Sequence, residues 1–118
     1  MLTKSELKQK ACQTIDGKKK ELIDVAQDIL AHPETGFNET RTASLVSRKF
    51  DEMGIKHRPG LAITGVKGGI DCGGPGPSVA LLGELDSLTV EQHPHANPET
   101  GAAPVSYTHL TLPTKRIV

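Results

Sequence analysis

Ser78-Val79-Ala80-Leu81-Leu82-Gly83-Glu84-Leu85-Asp86-Ser87-Leu88 opens on a nearly unbroken apolar run and closes on two carboxylates separated by a single leucine. Continuous apolarity over a short stretch is the signature of a strand covered on both faces, so Ser78 to Leu85 is predicted as the central strand of a sheet. Alternate residues of a strand point the same way, which aims Glu84 and Asp86 in one direction. Open α/β sheets gather their active sites at the carboxyl ends of strands, and an acid-base or metal-proximal pair fits there. The plainer alternative is that both carboxylates end the strand and face water.

Working outward, Ile55 to Arg58 and Leu61 to Val66 are further short apolar stretches bounded by Gly and Pro, and both are predicted strands. Upstream lies the cleanest amphipathic pattern in the chain. Ala43, Val46, Phe50 and Met53 step by helical intervals toward Gly54, which suits a left-handed C-terminal cap. The loop His32-Pro33-Glu34-Thr35-Gly36-Phe37-Asn38-Glu39-Thr40 leads into this helix, with Asn38 or Thr40 as the expected cap. An earlier helix is predicted from the capping box Thr3-x-x-Glu6 to His32, where Pro33 stops it. Leu7, Ala11, Ile15, Leu22, Val25, Ala26, Ile29 and Leu30 form its apolar stripe, and Gly17 is placed to bend or split it. Lys18, Lys19 and Lys20 are expected on a solvated face, paired with Glu21 and Asp24.

The chain has 118 residues, 14 basic against 14 acidic side chains and no net charge. That length bounds it to one domain or part of one. Neutrality without a basic stripe excludes nucleic acid or an anionic membrane surface as the expected partner. No apolar run reaches the ~20 residues of a membrane span and no signal segment follows Met1, so the expected location is cytoplasmic. Phe37, Phe50 and Tyr107 are the only aromatic residues, which makes the expected core aliphatic and thin. Cys12 and Cys72 lack a CxxC partner and are expected as reduced, half-buried residues. His93-Pro94-His95 is the closest histidine pair; imidazole is a common zinc ligand, but the intervening Pro limits convergence and an exposed loop is the simpler reading. His32 suits a helix C-terminus.

Four stretches in order resemble one family: His32 to Glu39 with Arg41-Thr42-Ala43, then Thr64-Gly65-Val66, then Leu82 to Leu88, then His93-Pro94-His95-Ala96-Asn97-Pro98-Glu99-Thr100-Gly101-Ala102-Ala103. The series is similar to the zinc-dependent amidohydrolases and peptidases that include aminoacylases, p-aminobenzoyl-glutamate hydrolase and indoleacetyl-amino acid hydrolases. The resemblance implies an α/β fold, here the N-terminal part of a metallopeptidase-type catalytic domain with two helices followed by strands of a mixed sheet. It also implies two divalent ions (Zn or Mn) in the full-length enzyme, a small-molecule amide or peptide substrate and a homodimer. Asp86 matches the acidic residue at the family's metal site. Glu84 stands where other branches place a metal-binding His and is the second candidate. His93 and His95 fall outside ligand positions.

After Gly101-Ala102-Ala103 the family branch continues into His-Ala-Cys-Gly-His, whereas this chain reads Pro104-Val105-Ser106-Tyr107-Thr108-His109-Leu110. Residues 1–103 are accordingly expected to be the N-terminal portion of the catalytic domain. Residues 104–118 resemble translated adapter sequence and are expected to be non-native, His109 included. The resemblance thus implies a fragment of a hydrolase for N-acyl-amino acid or peptide-like amide bonds, inactive and without its metals as it stands. The alternative is a stand-alone, non-enzymatic binding domain, which would be monodisperse and melt cooperatively, where a fragment would aggregate or stay molten.

Overall fold

The computed structural model describes residues 2–104, which divide after Ala31 into two compact units. Residues 105–118, with most of the expected non-native tail and His109, lie outside the described residues.

The first unit is a pair of helices, α1 (Lys4–Gly17) and α2 (Lys19–Ala31). The capping box forms as expected: Glu6 N–H donates to Thr3 Oγ1 at 3.3 Å, and Thr3 N–H donates back to Glu6 Oε2 at 2.7 Å. The Thr3 N–H and the Thr3 hydroxyl, which also donates to Glu6 Oε2 at 2.7 Å, hold the exposed Glu6 carboxyl below its ordinary range. The helical stretch expected up to His32 is split at Gly17, one of the two outcomes expected there, because Lys18 leaves helical geometry at φ −103° and ψ 8° immediately after it. Hydrogen bonding nearly bridges the break: Lys18 N–H donates to Ile15 O at 3.0 Å and Leu22 N–H to Lys18 O at 3.0 Å. The lysine run pairs along the surface as expected, Lys18 with Glu21 at 3.0 Å and Lys20 with Asp24 at 2.6 Å. Helix α2 stops at Ala31, two residues before Pro33. The apolar stripe read along α1 and α2 is real in sequence but unburied: Leu7, Ile15, Leu22 and Leu30 are all exposed. Cys12 and Cys72 are also exposed and free, a correction to the half-buried expectation, since neither sits against a packed surface.

The second unit is built around α3 (Thr40–Glu52) and the antiparallel hairpin of β1 (Lys56–Leu61) and β2 (Gly65–Gly69). Gly54 takes φ 67° and closes α3 as expected. Gly54 N–H donates to Asp51 O at 3.0 Å and Ile55 N–H to Phe50 O at 2.8 Å, the two bonds of a Schellman motif. The motif brings Ile55 and Phe50 together over the hairpin at Gly68, where a Cβ would come within 2.9 Å of Phe50 Cε2 and 3.1 Å of Ile55 Cγ2. The absent side chain at Gly68 is what admits the ring. Thr42 and Leu45 are the buried residues of α3, whereas Met53, expected on the buried face, is exposed. The buried face is turned because Thr42 is drawn inward by a hydrogen-bond partner described below.

Two strand expectations need correction. Leu61 to Val66 is not one strand: β1 ends at Leu61, residues 62–64 make the hairpin turn, and β2 begins at Gly65. Ala62 (φ 45°) and Ile63 (φ 81°) carry the chain through the left-handed region, and a Cβ at Gly65 would sit 2.6 Å from Leu61 O. An apolar run hides this turn because Ile is a residue that such backbone disfavours. A bulge between Arg58 and Leu61, with Gly60 at φ 75°, shifts the register. The second correction concerns Ser78 to Leu85, the expected central strand. It joins no ladder among the described residues, and Val79, Leu81 and Leu82 are 86%, 98% and 95% exposed. A doubly covered strand needs neighbours on both sides, and none of the described residues supplies one.

Beyond it, β3 (Leu88–Thr89) pairs antiparallel with β4 (Ala102–Ala103), the alanines fully buried. Among the described residues the strands form two antiparallel ladders and an isolated parallel bridge between Thr35 and Ser87, and not one mixed sheet. The described residues form an incomplete α/β arrangement, three helices followed by short strands.

Candidate functional site

The loop before α3 is a hub. Its first arm is the carboxyl group of Glu34, which reaches forward to the helix N-terminus. Glu34 Oε1 accepts from Arg41 N–H at 3.0 Å; Glu34 Oε2 accepts from Thr42 N–H and from Thr42 Oγ1, each at 2.7 Å. The helix starts with donors that lack intrahelical acceptors, and a carboxylate is favoured among them. Neither Asn38 nor Thr40 caps α3, contrary to expectation. The N-cap residue is Glu39, which makes no side-chain cap bond, and Asn38 Nδ2 instead closes the loop by donating to Thr35 Oγ1 at 3.2 Å.

Partial burial would raise the Glu34 carboxyl, but the donations from the Thr42 hydroxyl and from the Arg41 and Thr42 backbone outweigh it and hold Glu34 below the ordinary carboxyl range. A carboxyl depressed in the folded state stabilises above its unfolded pKa, and that contribution is lost as pH falls through the folded one. The stability gap between the parent and Glu34→Gln should therefore be widest near neutrality and shrink below about pH 4.5. Urea titrations at a series of pH values check this, and a gap independent of pH would count against it. Glu6 titrates alike in both proteins and cancels.

The second arm is Glu39. Its Oε2 accepts from Thr64 Oγ1 at 2.6 Å, with both residues buried. That bond ties the start of α3 to the hairpin turn. The third arm is backbone: Ser87 N–H donates to Glu34 O at 2.7 Å, and Thr35 and Ser87 form the parallel bridge. Asp86, one residue earlier, lies half-buried over the same loop, its Oδ2 3.7 Å from where a Cβ on Gly36 would be. Glu84 is exposed, so the two carboxylates expected to act as a pair sit in different surroundings.

Leu88 continues into β3 and hence to β4, which closes the last stretch. Val90 N–H donates to Gly101 O at 3.0 Å, Asn97 N–H to Ala102 O at 2.8 Å, and Asn97 Oδ1 accepts from Glu99 N–H at 2.8 Å. His93 and His95 stand with ring centroids 5.8 Å apart, and His93 Nδ1 accepts from the His95 backbone at 3.1 Å, an internal use of that nitrogen. Among the described residues no three His, Cys, Asp or Glu side chains gather in a way that could hold a metal ion. Nor is any helix among them long and apolar enough to cross a membrane. An open groove of about 510 Å³ runs between α3 and the hairpin turn, lined by Ser44, Ser47, Arg48, Asp51 and Ile63 among others, and excludes both Glu84 and Asp86.

The four stretches singled out in the sequence are thus joined in space, with the His32 to Glu39 loop holding the second through Thr64 and the third through Ser87. Sequence reasoning named Asp86 and Glu84 but missed Glu34, Glu39 and Thr64, whose partners lie 8, 25 and 25 residues away. Their presence inside the family stretches was the available signal.

No protein-family profile matches the chain, and no solved structure does. Among curated proteins it is 28% identical over 87 residues to the YhaA amidohydrolase of Bacillus subtilis, covering 74% of this chain and 22% of that one. It is 37% identical over 71 residues to the IAA-amino acid hydrolase ILR1-like 2 of Arabidopsis thaliana (60% and 16%). It is 31% identical over 85 residues to the N-acetyl-L-cysteine deacetylase of Bacillus subtilis (70% and 20%). The chain spans less than a quarter of the length of these relatives. With carboxypeptidases of Saccharolobus solfataricus also among the matches, the chain is a relative of amidohydrolases and carboxypeptidases, the family that its ordered motif series resembles.

Proposed function

We propose that this chain is the N-terminal part of a metal-dependent amidohydrolase acting on N-acyl-amino acid or peptide-like amide bonds. The observation that carries the reading is the 2.7 Å bond from Ser87 N–H to Glu34 O, which sets the Gly83-Glu84-Leu85-Asp86 strand end against the His32 to Glu39 loop. Two stretches recognised separately in the sequence meet there, and Asp86 sits at their junction. The described residues do not make a metal site on their own, so they do not fit the two divalent ions without ligands from elsewhere in the protein. Asp86 orients groups at the reaction centre, and Glu84, exposed, is the lesser candidate. The full-length protein is a cytoplasmic homodimer with a small-molecule amide or peptide substrate; residues 1–118 alone do not turn over.

The test begins with the source locus, read through and beyond the codon for Ala103 and expressed in the frame that continues. That protein should hydrolyse N-acetyl-amino acids in the presence of Zn or Mn. Asp86→Ala should lower turnover by at least the 10- to 100-fold typical of residues that orient a metal cluster, while the protein stays folded. Normal turnover by Asp86→Ala would overturn the role given to that residue, and absence of hydrolysis by the parent would overturn the reaction.

A further inference from the structure

Asp86 is not placed by the strand that it was expected to end. From the end of β2 at Gly69 to Ser87 the described chain joins no ladder, and residues 71–84 are all exposed. The chain is caught again at Ser87, whose N–H donates to Glu34 O at 2.7 Å while Thr35 and Ser87 bridge in parallel. The same Glu34 is held by its other end. Its carboxyl takes two backbone donors from Arg41 and Thr42 and the hydroxyl of Thr42, a residue 1% exposed. One residue therefore grips helix α3 with its side chain and the Asp86-Ser87 backbone with its main chain.

We infer that Glu34 is a positioning residue for Asp86, transmitting the rigidity of α3 to the segment that carries that carboxylate. α3 is itself anchored on the hairpin through Glu39 and Thr64 and through Phe50 over Gly68. The line of support runs hairpin, helix, Glu34, Ser87. Without the side-chain grip the loop is no longer pinned to the start of α3, and the catch on Ser87 loosens with it. This assignment rests on the amidohydrolase reading only in what Asp86 does there; the mechanical link stands independently.

The test is amide hydrogen exchange in the 118-residue chain carrying Leu81→Lys, the substitution expected to keep it monomeric (see Discussion) and here the parent, followed residue by residue by NMR. Ser87, Arg41 and Thr42 should be protected in the parent. Glu34→Ala should speed exchange at all three about tenfold, the scale of a lost helix cap. At Arg41 and Thr42 the acceptor itself is deleted, but the acceptor of Ser87 is the Glu34 carbonyl, which survives the substitution. Faster exchange at Ser87 therefore reports positioning and not capping alone. Glu34→Gln, which keeps an acceptor oxygen, should restore most of the protection. Gly54→Ala serves as the control, because it weakens α3 at its other end and should leave the ratio of Ser87 to hairpin exchange unchanged. If Glu34→Ala does not fold, Thr42→Val removes one of the donors and should give a smaller change of the same kind. An unprotected Ser87 in the parent, or a Ser87 indifferent to these substitutions, would overturn the inference. In the full-length protein Glu34→Ala should lower kcat with KM little changed and Glu34→Gln should recover it. A parent that hydrolyses nothing defeats the proposed function and leaves the exchange data to decide the link.

Discussion

Thr64→Val should destabilise the second unit by about 2–3 kcal/mol, the cost of leaving a buried polar group without its partner. Val keeps the shape of Thr closely, so the substitution removes little besides the hydroxyl. That hydroxyl donates to Glu39 Oε2 at 2.6 Å in a buried setting. No other side-chain donor to Glu39 is found among the described residues, and Val brings a methyl group against the carboxyl oxygen. The turn offers no easy escape: Ala62 and Ile63 already sit at positive φ, and Gly65 lies against Leu61 O. A cost of this size is a large share of what a domain of about 100 residues commands, roughly 5–15 kcal/mol. Thr64→Ser, which keeps the donor and loses a methyl, should cost under about 1 kcal/mol. Urea denaturation followed by far-ultraviolet circular dichroism measures both, and a Thr64→Val protein within about 0.5 kcal/mol of the parent would show that the hydroxyl is not what joins turn and helix.

Signals confined to a few neighbouring residues were legible in the sequence. The Thr3 and Glu6 box, the stop ahead of Pro33 and the left-handed Gly54 all depend on chemistry within one turn of helix, and all appear where they were read. The split at Gly17 is legible because Gly tolerates the departure. What failed depends on distant partners. Glu34 displaces Asn38 and Thr40 as the cap of α3 because the loop folds back over the helix start, which no spacing rule encodes. Thr42 is buried for the same reason, so a pattern made only of apolar residues pointed to the wrong edge of the helix. The turn at Ala62 and Ile63 carries none of the Asn-Gly chemistry that marks a hairpin. At the candidate site, Asp86 was reached through resemblance, since an isolated pair of carboxylates carries little weight. Its junction with the loop through Glu34 could not be read at all, being made by backbone atoms that every residue has.

The failure at Ser78 to Leu85 leads to the other large effect: the 118-residue chain should self-associate, and Leu81→Lys or Leu82→Lys should abolish it. Val79, Leu81 and Leu82 are 86%, 98% and 95% exposed in a stretch that joins no ladder among the described residues, and no charged residue occurs between Asp71 and Glu84. An uncharged, aliphatic segment with unpaired backbone groups is a template for another copy of itself. Burying these three side chains is worth about 1.5–3 kcal/mol each, and a pair of copies contributes twice that. The sum competes with an association cost of about 4–15 kcal/mol, so assembly should set in over the micromolar to millimolar range. Glu84 and Asp86 at one end favour an antiparallel pair, in which the two acidic ends are kept apart. A lysine in the middle adds a charge whose burial is costly and should keep the chain monomeric at the same concentration. Leu30→Lys tests the competing site: Leu30 is exposed too, but on helix α2, whose backbone groups are already paired within the helix. Light scattering across a concentration series distinguishes them. Loss of association in Leu30→Lys with none in Leu81→Lys and Leu82→Lys would place the contact on the helices. A monodisperse, cooperatively melting parent would favour the stand-alone binding domain over the hydrolase fragment, because the stretch read as a doubly covered strand would then be stable uncovered.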